Sequence, residues 1–199
     1  MLDEGYIKFN CEWVNQPLAV KVPGELMRCR DLMHELKQIG YYDDIDVGYG
    51  NISIKTDKGI LISGTQTGHL TAIRPENFTL VTDYNIAENK VVCKGPVKAS
   101  SESMTHAAVY EADPSIKAII HIHNLALWQK LINKVPTTNQ EVPYGTPEMA
   151  NEIFRLFDET AVRKERVIAM AGHKEGIIFF GEHINEVERM IEKRLTGLS

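Results

Sequence analysis

Residues 121–123 read His-Ile-His at the end of the apolar run 116–122. A two-residue step on a strand sends both imidazoles to one face of a sheet, where two ring nitrogens can meet a single ion. Catalytic zinc sites commonly use three protein ligands and keep a position open, so a third ligand must come from elsewhere, and His173 is a candidate. Glu102 opens a helical run and is placed to exchange protons, although the helix dipole alone also favours an acid there. Asn51 follows Gly50 on the approach to a strand, and Ser100 and Ser101 precede Glu102. Separately these are turn and cap residues. Together, an amide, a capped helix start and glycine-flanked backbone form a pocket suited to phosphate. His34, His69, His106 and His183 lack such a pattern and read as structural or exposed.

These residues need elements to hold them. Ile7, Phe9, Cys11 and Trp13 alternate with Tyr6, Lys8, Asn10 and Glu12, which predicts a half-buried edge strand. After Pro23 and Gly24, Leu26, Cys29, Leu32, Met33, Leu36 and Ile39 recur at helical spacing, with Gly40 as terminator. Runs 51–55 and 60–63 flank the turn formers Thr56-Asp57-Lys58-Gly59 and predict a hairpin, and 78–82 and 90–94 predict two more strands. Ser100 and Ser101 predict a serine-capped helix ending before Pro114. Beyond the apolar strand, helices are expected over 125–132 and from Thr146-Pro147, and strands over 166–171 and 176–180. A last helix carries Ile184, Val187, Met190, Ile191 and Leu195 on one face. Hairpins mixed with separated helices indicate an α/β chain whose mostly antiparallel sheet has helices against its faces.

At 199 residues, 43% of them hydrophobic, one domain spanning 1–199 with a sizeable core is expected. A net charge of -5 without a long basic run argues against a nucleic-acid surface. Cys11, Cys29 and Cys93 are odd in number and far apart, so neither a disulfide framework nor a paired-thiol metal site is suggested, and reduced thiols fit a cytoplasmic location. The first residues lack an apolar secretion core, and no stretch is long enough to span a bilayer, so neither targeting nor membrane association is expected.

Gly50-Asn51-Ile52-Ser53, Ser100-Ser101-Glu102, His121-Ile122-His123 and His173 occur in that order, with Tyr110, Asp113-Pro114 and Ala118-Ile119-Ile120 between the glutamate and the histidines. The set resembles the class II aldolase/adducin family, from about the first helix to the last. The resemblance implies a three-layer alpha-beta-alpha fold on a central antiparallel sheet, and a homotetramer whose active site lies near a subunit boundary. It implies that His121, His123 and His173 hold zinc, that Glu102 is the acid/base, and that Asn51, Ser100 and Ser101 hold a substrate phosphate. Imidazole also suits manganese, cobalt or iron, but zinc tolerates an open tetrahedral site well. Where the aldolase pattern has threonine-glycine, this chain has Thr65 or Thr67-Gly68 to fill the role. The family's histidine-glycine at the third ligand becomes His173-Lys174-Glu175-Gly176, two residues longer, which reshapes the wall around the ion. The family's proton-transfer tyrosines have no obvious counterpart. Tyr144 is a further candidate, either facing a neighbouring subunit or anchoring its loop.

The implied activity is cleavage of a small phosphorylated ketose through a metal-stabilised enediolate, giving dihydroxyacetone phosphate and an aldehyde. The same chemistry serves methylthioribulose phosphate dehydratases and sugar-acid phosphate decarboxylases of the family. Glu102 stands where its ribulose phosphate epimerases have aspartate, which favours these three over epimerisation. A non-catalytic adducin-like binding protein is the alternative from another class, although adducin heads lack the metal-binding histidines that this chain retains.

Overall fold

The computed structural model describes residues 5–198. In chain order its elements are β1 (Asn10–Asn15), α1 (Gly24–Glu35), β2 (Gly40–Tyr42), β3 (Val47–Tyr49), β4 (Asn51–Thr56), β5 (Gly59–Ser63), β6 (Phe78–Asn85), β7 (Lys90–Gly95), α2 (Ser103–Ala112), β8 (Ala118–His123), α3 (Leu125–Leu131), α4 (Pro147–Glu159), α5 (Val162–Glu165), β9 (Val167–Ala169), β10 (Gly176–Gly181) and α6 (Ile184–Thr196). An eight-stranded sheet runs in the order β1-β7-β6-β5-β4-β8-β10-β9, and β2 and β3 form a separate hairpin. Neighbouring strands are antiparallel except for β1, which lies parallel to β7.

Alternation along β8 shows how the sheet sorts its two faces. Ala118, Ile120 and Ile122 join the core formed with Leu26 and Met33 of α1 and Val187 and Ile191 of α6. Ile119 joins the opposite core, with Met104 and Ala108 of α2 and Ile153 and Phe157 of α4. Burial of each isoleucine contributes about 1.5–3 kcal/mol, enough to fix the register of the strand. His121 and His123 share the parity of Ile119, so they face the α2 side. Helices on both faces of a mostly antiparallel sheet give the three-layer alpha-beta-alpha class expected from the sequence.

Several local expectations need correction. The first helix ends at Glu35 rather than near Ile39, because Lys37 turns left-handed at φ 57 and the amides of Gln38 and Ile39 both return to the Met33 carbonyl. Gly40 therefore begins β2 instead of ending a helix. β1 is an edge strand, but it starts at Asn10, and residues 6–9 precede it as irregular chain. Ser100 and Ser101 do not cap α2. Glu102 occupies the cap position, and its own amide donates to Ser100 Oγ at 3.3 Å. The strand expected over 166–171 contracts to β9 after Arg166, which adopts φ 54. The Thr146-Pro147 start of α4 is as expected, with the Met149 amide donating to Thr146 Oγ1 at 3.3 Å.

Between β3 and β4 the chain turns at Gly50, where φ is +71 and a side chain would crowd Ile39 and the His121 carbonyl. That tight turn delivers Asn51 to the position opposite His121 across the β4–β8 ladder. Among the described residues no helix is long and apolar enough to cross a membrane.

Candidate active site

His121 and His123 project from β8, and His173 from the loop that leads into β10. All three are buried, and their ligand atoms lie within 4.8 Å of one another. His123 Nε2 and His173 Nε2 are 3.0 Å apart. His121 Nε2 is buried with no hydrogen-bond partner among the described residues. One shared proton can bridge a pair of imidazoles, but it leaves the third nitrogen unsatisfied; a divalent ion accepts all three lone pairs at once. Burial pushes His121 down to about 3, and burial with the neighbouring histidine charges holds His123 and His173 well below the ordinary histidine value. The rings are therefore neutral at physiological pH and available as ligands.

Gly176 stands opposite His123 in the β8–β10 register. A Cβ there would overlap the His173 ring and come 3.1 Å from His121 Nε2. Glycine thus leaves the space in which the third imidazole sits. Gly176→Ala is expected to cost about 1–2 kcal/mol of stability through overpacking and to weaken zinc binding at least about tenfold by displacing His173. Chelator competition and a thermal melt measure the two effects.

Glu102 lies at the start of α2, 2% exposed. Its Oε1 is 3.9 Å from His173 Nε2, and among the described residues neither carboxyl oxygen has an aligned hydrogen bond. Burial lifts its pKa from 4.5 to about 7, with nearby Thr105 and the Lys8 charge acting in the opposite direction. A carboxyl poised near neutrality beside an ion site suits proton transfer in either direction.

A small pocket joins Glu102 and His121 to Asn51, Ser100, Ser101 and the loop from Gly64 to Gly68. The buried guanidinium of Arg30 holds that loop by donating to the carbonyls of Thr67, Gly68 and Leu70. Both Thr65 and Thr67 line the pocket, but the Thr67 hydroxyl already donates to the Gly64 carbonyl at 2.9 Å. Tyr144 is buried, its ring centroid 4.4 Å from that of His173, and its hydroxyl accepts from the Tyr6 amide at 3.1 Å. In this chain it anchors the N-terminal segment over the site.

The structure thus brings together every residue singled out for chemistry, and it adds others. Lys8 places its ammonium 3.7 Å from the centroid of the Tyr144 ring. Tyr42 lies beside His123 and Glu175, and Tyr49 stacks on Tyr42. Only Glu175 leaves a trace in the sequence, through the lengthened segment after His173; the others come from the small hairpin and the irregular N-terminal chain.

A family model for the class II aldolase and adducin N-terminal domain matches residues 30–193. The chain belongs to this family. Among solved structures, L-fuculose-1-phosphate aldolase from Thermus thermophilus is similar with a TM-score of 0.63 at 19% identity, over 87% of this chain and 88% of that one. YgbL from Klebsiella pneumoniae, a proposed aldolase/epimerase/decarboxylase, gives 0.61 at 19% identity over 85% and 82%. A sugar-phosphate aldolase from Thermotoga maritima gives 0.54 at 17% identity over 88% and 97%. At such identities the likeness to each structure is one of fold, and the chemistry of this family member has to be argued from its own site.

Proposed function

We propose that this chain is a zinc-dependent lyase that cleaves a small phosphorylated ketose to dihydroxyacetone phosphate and an aldehyde. The observation that carries the reading is the junction of two features: the pocket that holds the hydroxyl and amide groups of Asn51, Thr65, Ser100 and Ser101 also reaches Glu102 and His121, and His121 is one of the three clustered histidines. The hydroxyl and amide groups fix the phosphate, which holds the reacting carbons beside Glu102. A divalent ion on His121, His123 and His173 supplies the positive charge that lowers the cost of negative charge developing at the substrate carbonyl. Glu102 moves the proton at its Oε atoms, and its burial keeps water from competing.

Asn51 fits both halves of this site. Its Nδ2 lies 3.4 Å from His121 Nδ1, while its Oδ1 is buried without a partner among the described residues. With the amide turned end for end, Oδ1 accepts from His121 Nδ1–H, Nε2 keeps its lone pair for the ion, and the NH2 group is free to donate to phosphate.

Decarboxylation of a sugar-acid phosphate is the second reading, favoured by Lys8. Its charge acts on both Glu102 and His173, so a carboxylate bound at this end of the site would lie in a positive field. Elemental mass spectrometry of the purified native chain and of His123→Ala tests the metal-dependent reading common to both. About one zinc per chain in the native protein, lost in the variant, supports it. Native protein that stays metal-free after incubation with zinc sinks it and revives a non-catalytic, adducin-like role. Turnover of phosphorylated ketoses against phosphorylated sugar acids then separates the two reactions.

A further inference from the structure

Tyr42 stands between the metal cluster and the segment that lengthens the loop after His173. Its hydroxyl donates to Glu175 Oε2 at 3.0 Å and lies 3.3 Å from His123 Nδ1. The Tyr49 ring packs on Tyr42 with centroids 4.4 Å apart, and the Tyr42 ring meets the His123 ring edge-on at 6.3 Å, so the phenol cannot swing away without losing both ring contacts. A phenol has one proton. Once that proton is committed to a carboxylate, in a hydrogen bond strengthened by the acceptor's charge, the Tyr42 oxygen can only accept. His123 Nδ1 must then carry the hydrogen it gives to Tyr42, and Nε2 is left with its lone pair on the side where His173 Nε2 lies 3.0 Å away.

The backbone at Glu175 fits the same picture. Its φ is +72, a left-handed conformation that costs a non-glycine residue about 1 kcal/mol or more. Glycine would relieve that strain but could not supply a carboxylate. The loop is pinned as well, since the Asn124 amide, directly after His123, donates to the Glu175 carbonyl at 3.0 Å.

We infer that Glu175 and Tyr42 form an outer relay that locks His123 in its metal-binding tautomer, and that both are positioning residues of this site rather than catalytic ones. The inference rests on the metal-dependent reading above. A carboxylate or carbonyl behind a ligating histidine is a common device, and its loss costs about 10–100-fold in metal affinity; here a tyrosine carries the carboxylate's influence one residue further.

The test is a double-mutant cycle on zinc affinity, measured by competition with a chromophoric chelator on purified full-length chains. Tyr42→Phe and Glu175→Ala are each expected to weaken zinc binding about tenfold. The double variant should be no weaker than about twentyfold, because the second change removes a link already broken. Melting temperatures of the metal-free variants should stay within about 2 °C of native, which separates positioning of the ligand from general destabilisation. Single variants within twofold of native, or a double variant whose losses multiply to about a hundredfold, overturn the relay while leaving the metal site intact. A native chain that takes up no zinc overturns the metal reading itself, and the relay with it.

Discussion

Replacing Glu102 with glutamine is expected to lower kcat about a thousandfold while bound zinc stays at the native level. The substitution preserves volume and removes only the capacity to take up and release a proton. The side chain is 2% exposed, and among the described residues neither carboxyl oxygen has an aligned hydrogen bond, so the swap disturbs little beyond the proton itself. Oε1 at 3.9 Å from His173 Nε2 puts the carboxyl beside the cluster while three imidazoles already supply a ligand set. The residues proposed to hold the phosphate are untouched, so KM should change less than threefold; a fall in kcat with constant KM marks an interaction made in the transition state. Should zinc be lost together with activity, Glu102 is a fourth ligand rather than the base, and a kcat within tenfold of native removes it from the chemistry.

The contrast between Glu102 and Tyr42 shows what sequence spacing conveys. Strand parity alone puts His121 and His123 on one face, because the two-residue repeat is a property of the chain and needs no partner. Thr146-Pro147 and the hairpin around Thr56 to Gly59 are likewise local signals, and both fall where expected. Pairing across the sheet is different. Nothing within 10–15 says that β1 will lie parallel to β7, since each of its registers is decided by residues about eighty positions away. The hairpin of β2 and β3 is hidden because Gly40 reads equally well as a helix stop, and the left-handed turn that ends α1 falls at Lys37, a residue with no such bias. With that hairpin unseen, Tyr42 and Tyr49 have no route to the histidines. Lys8 is concealed by the alternation of 6–13, which suggests a strand where the chain in fact crosses the site and is held by the Tyr144 hydroxyl. The paired histidines are legible because they sit on a regular element; what surrounds them comes from loops, whose geometry depends on contacts distant in sequence.

The metal-free protein is expected to lose stability on acidification, and the size of that loss follows from how many imidazoles are buried neutral. His106, on the next turn of α2 from Glu102, shares a short hydrogen bond of 2.7 Å between its Nδ1 and Ser53 Oγ, and burial pushes it down to about 3, as it does His121. His123 and His173 are shifted in the same direction. Each is lowered in the folded state, so its contribution is fully present above the unfolded value of 6.5 and is lost as pH falls, because the unfolded chain takes up protons that the folded chain refuses. Between pH 7 and pH 5.5 this amounts to roughly 1.2 kcal/mol each for His106 and His121, and His123 and His173 add losses of the same sign. Glu102 works the other way. Its folded value is raised to about 7, so its contribution is fully present below 4.5 and is lost as pH rises through 7; acidification over the same interval returns roughly 1.5 kcal/mol. With the four histidines outweighing one carboxyl, the net is a loss of at least about 1 kcal/mol, or a fall in melting temperature of at least about 3 °C for a chain of this size. Thermal melts in excess chelator at the two pH values measure it. A melting temperature that holds or rises at pH 5.5 would mean that the imidazoles are already protonated in the folded chain, which is incompatible with a buried cluster preformed for a metal ion.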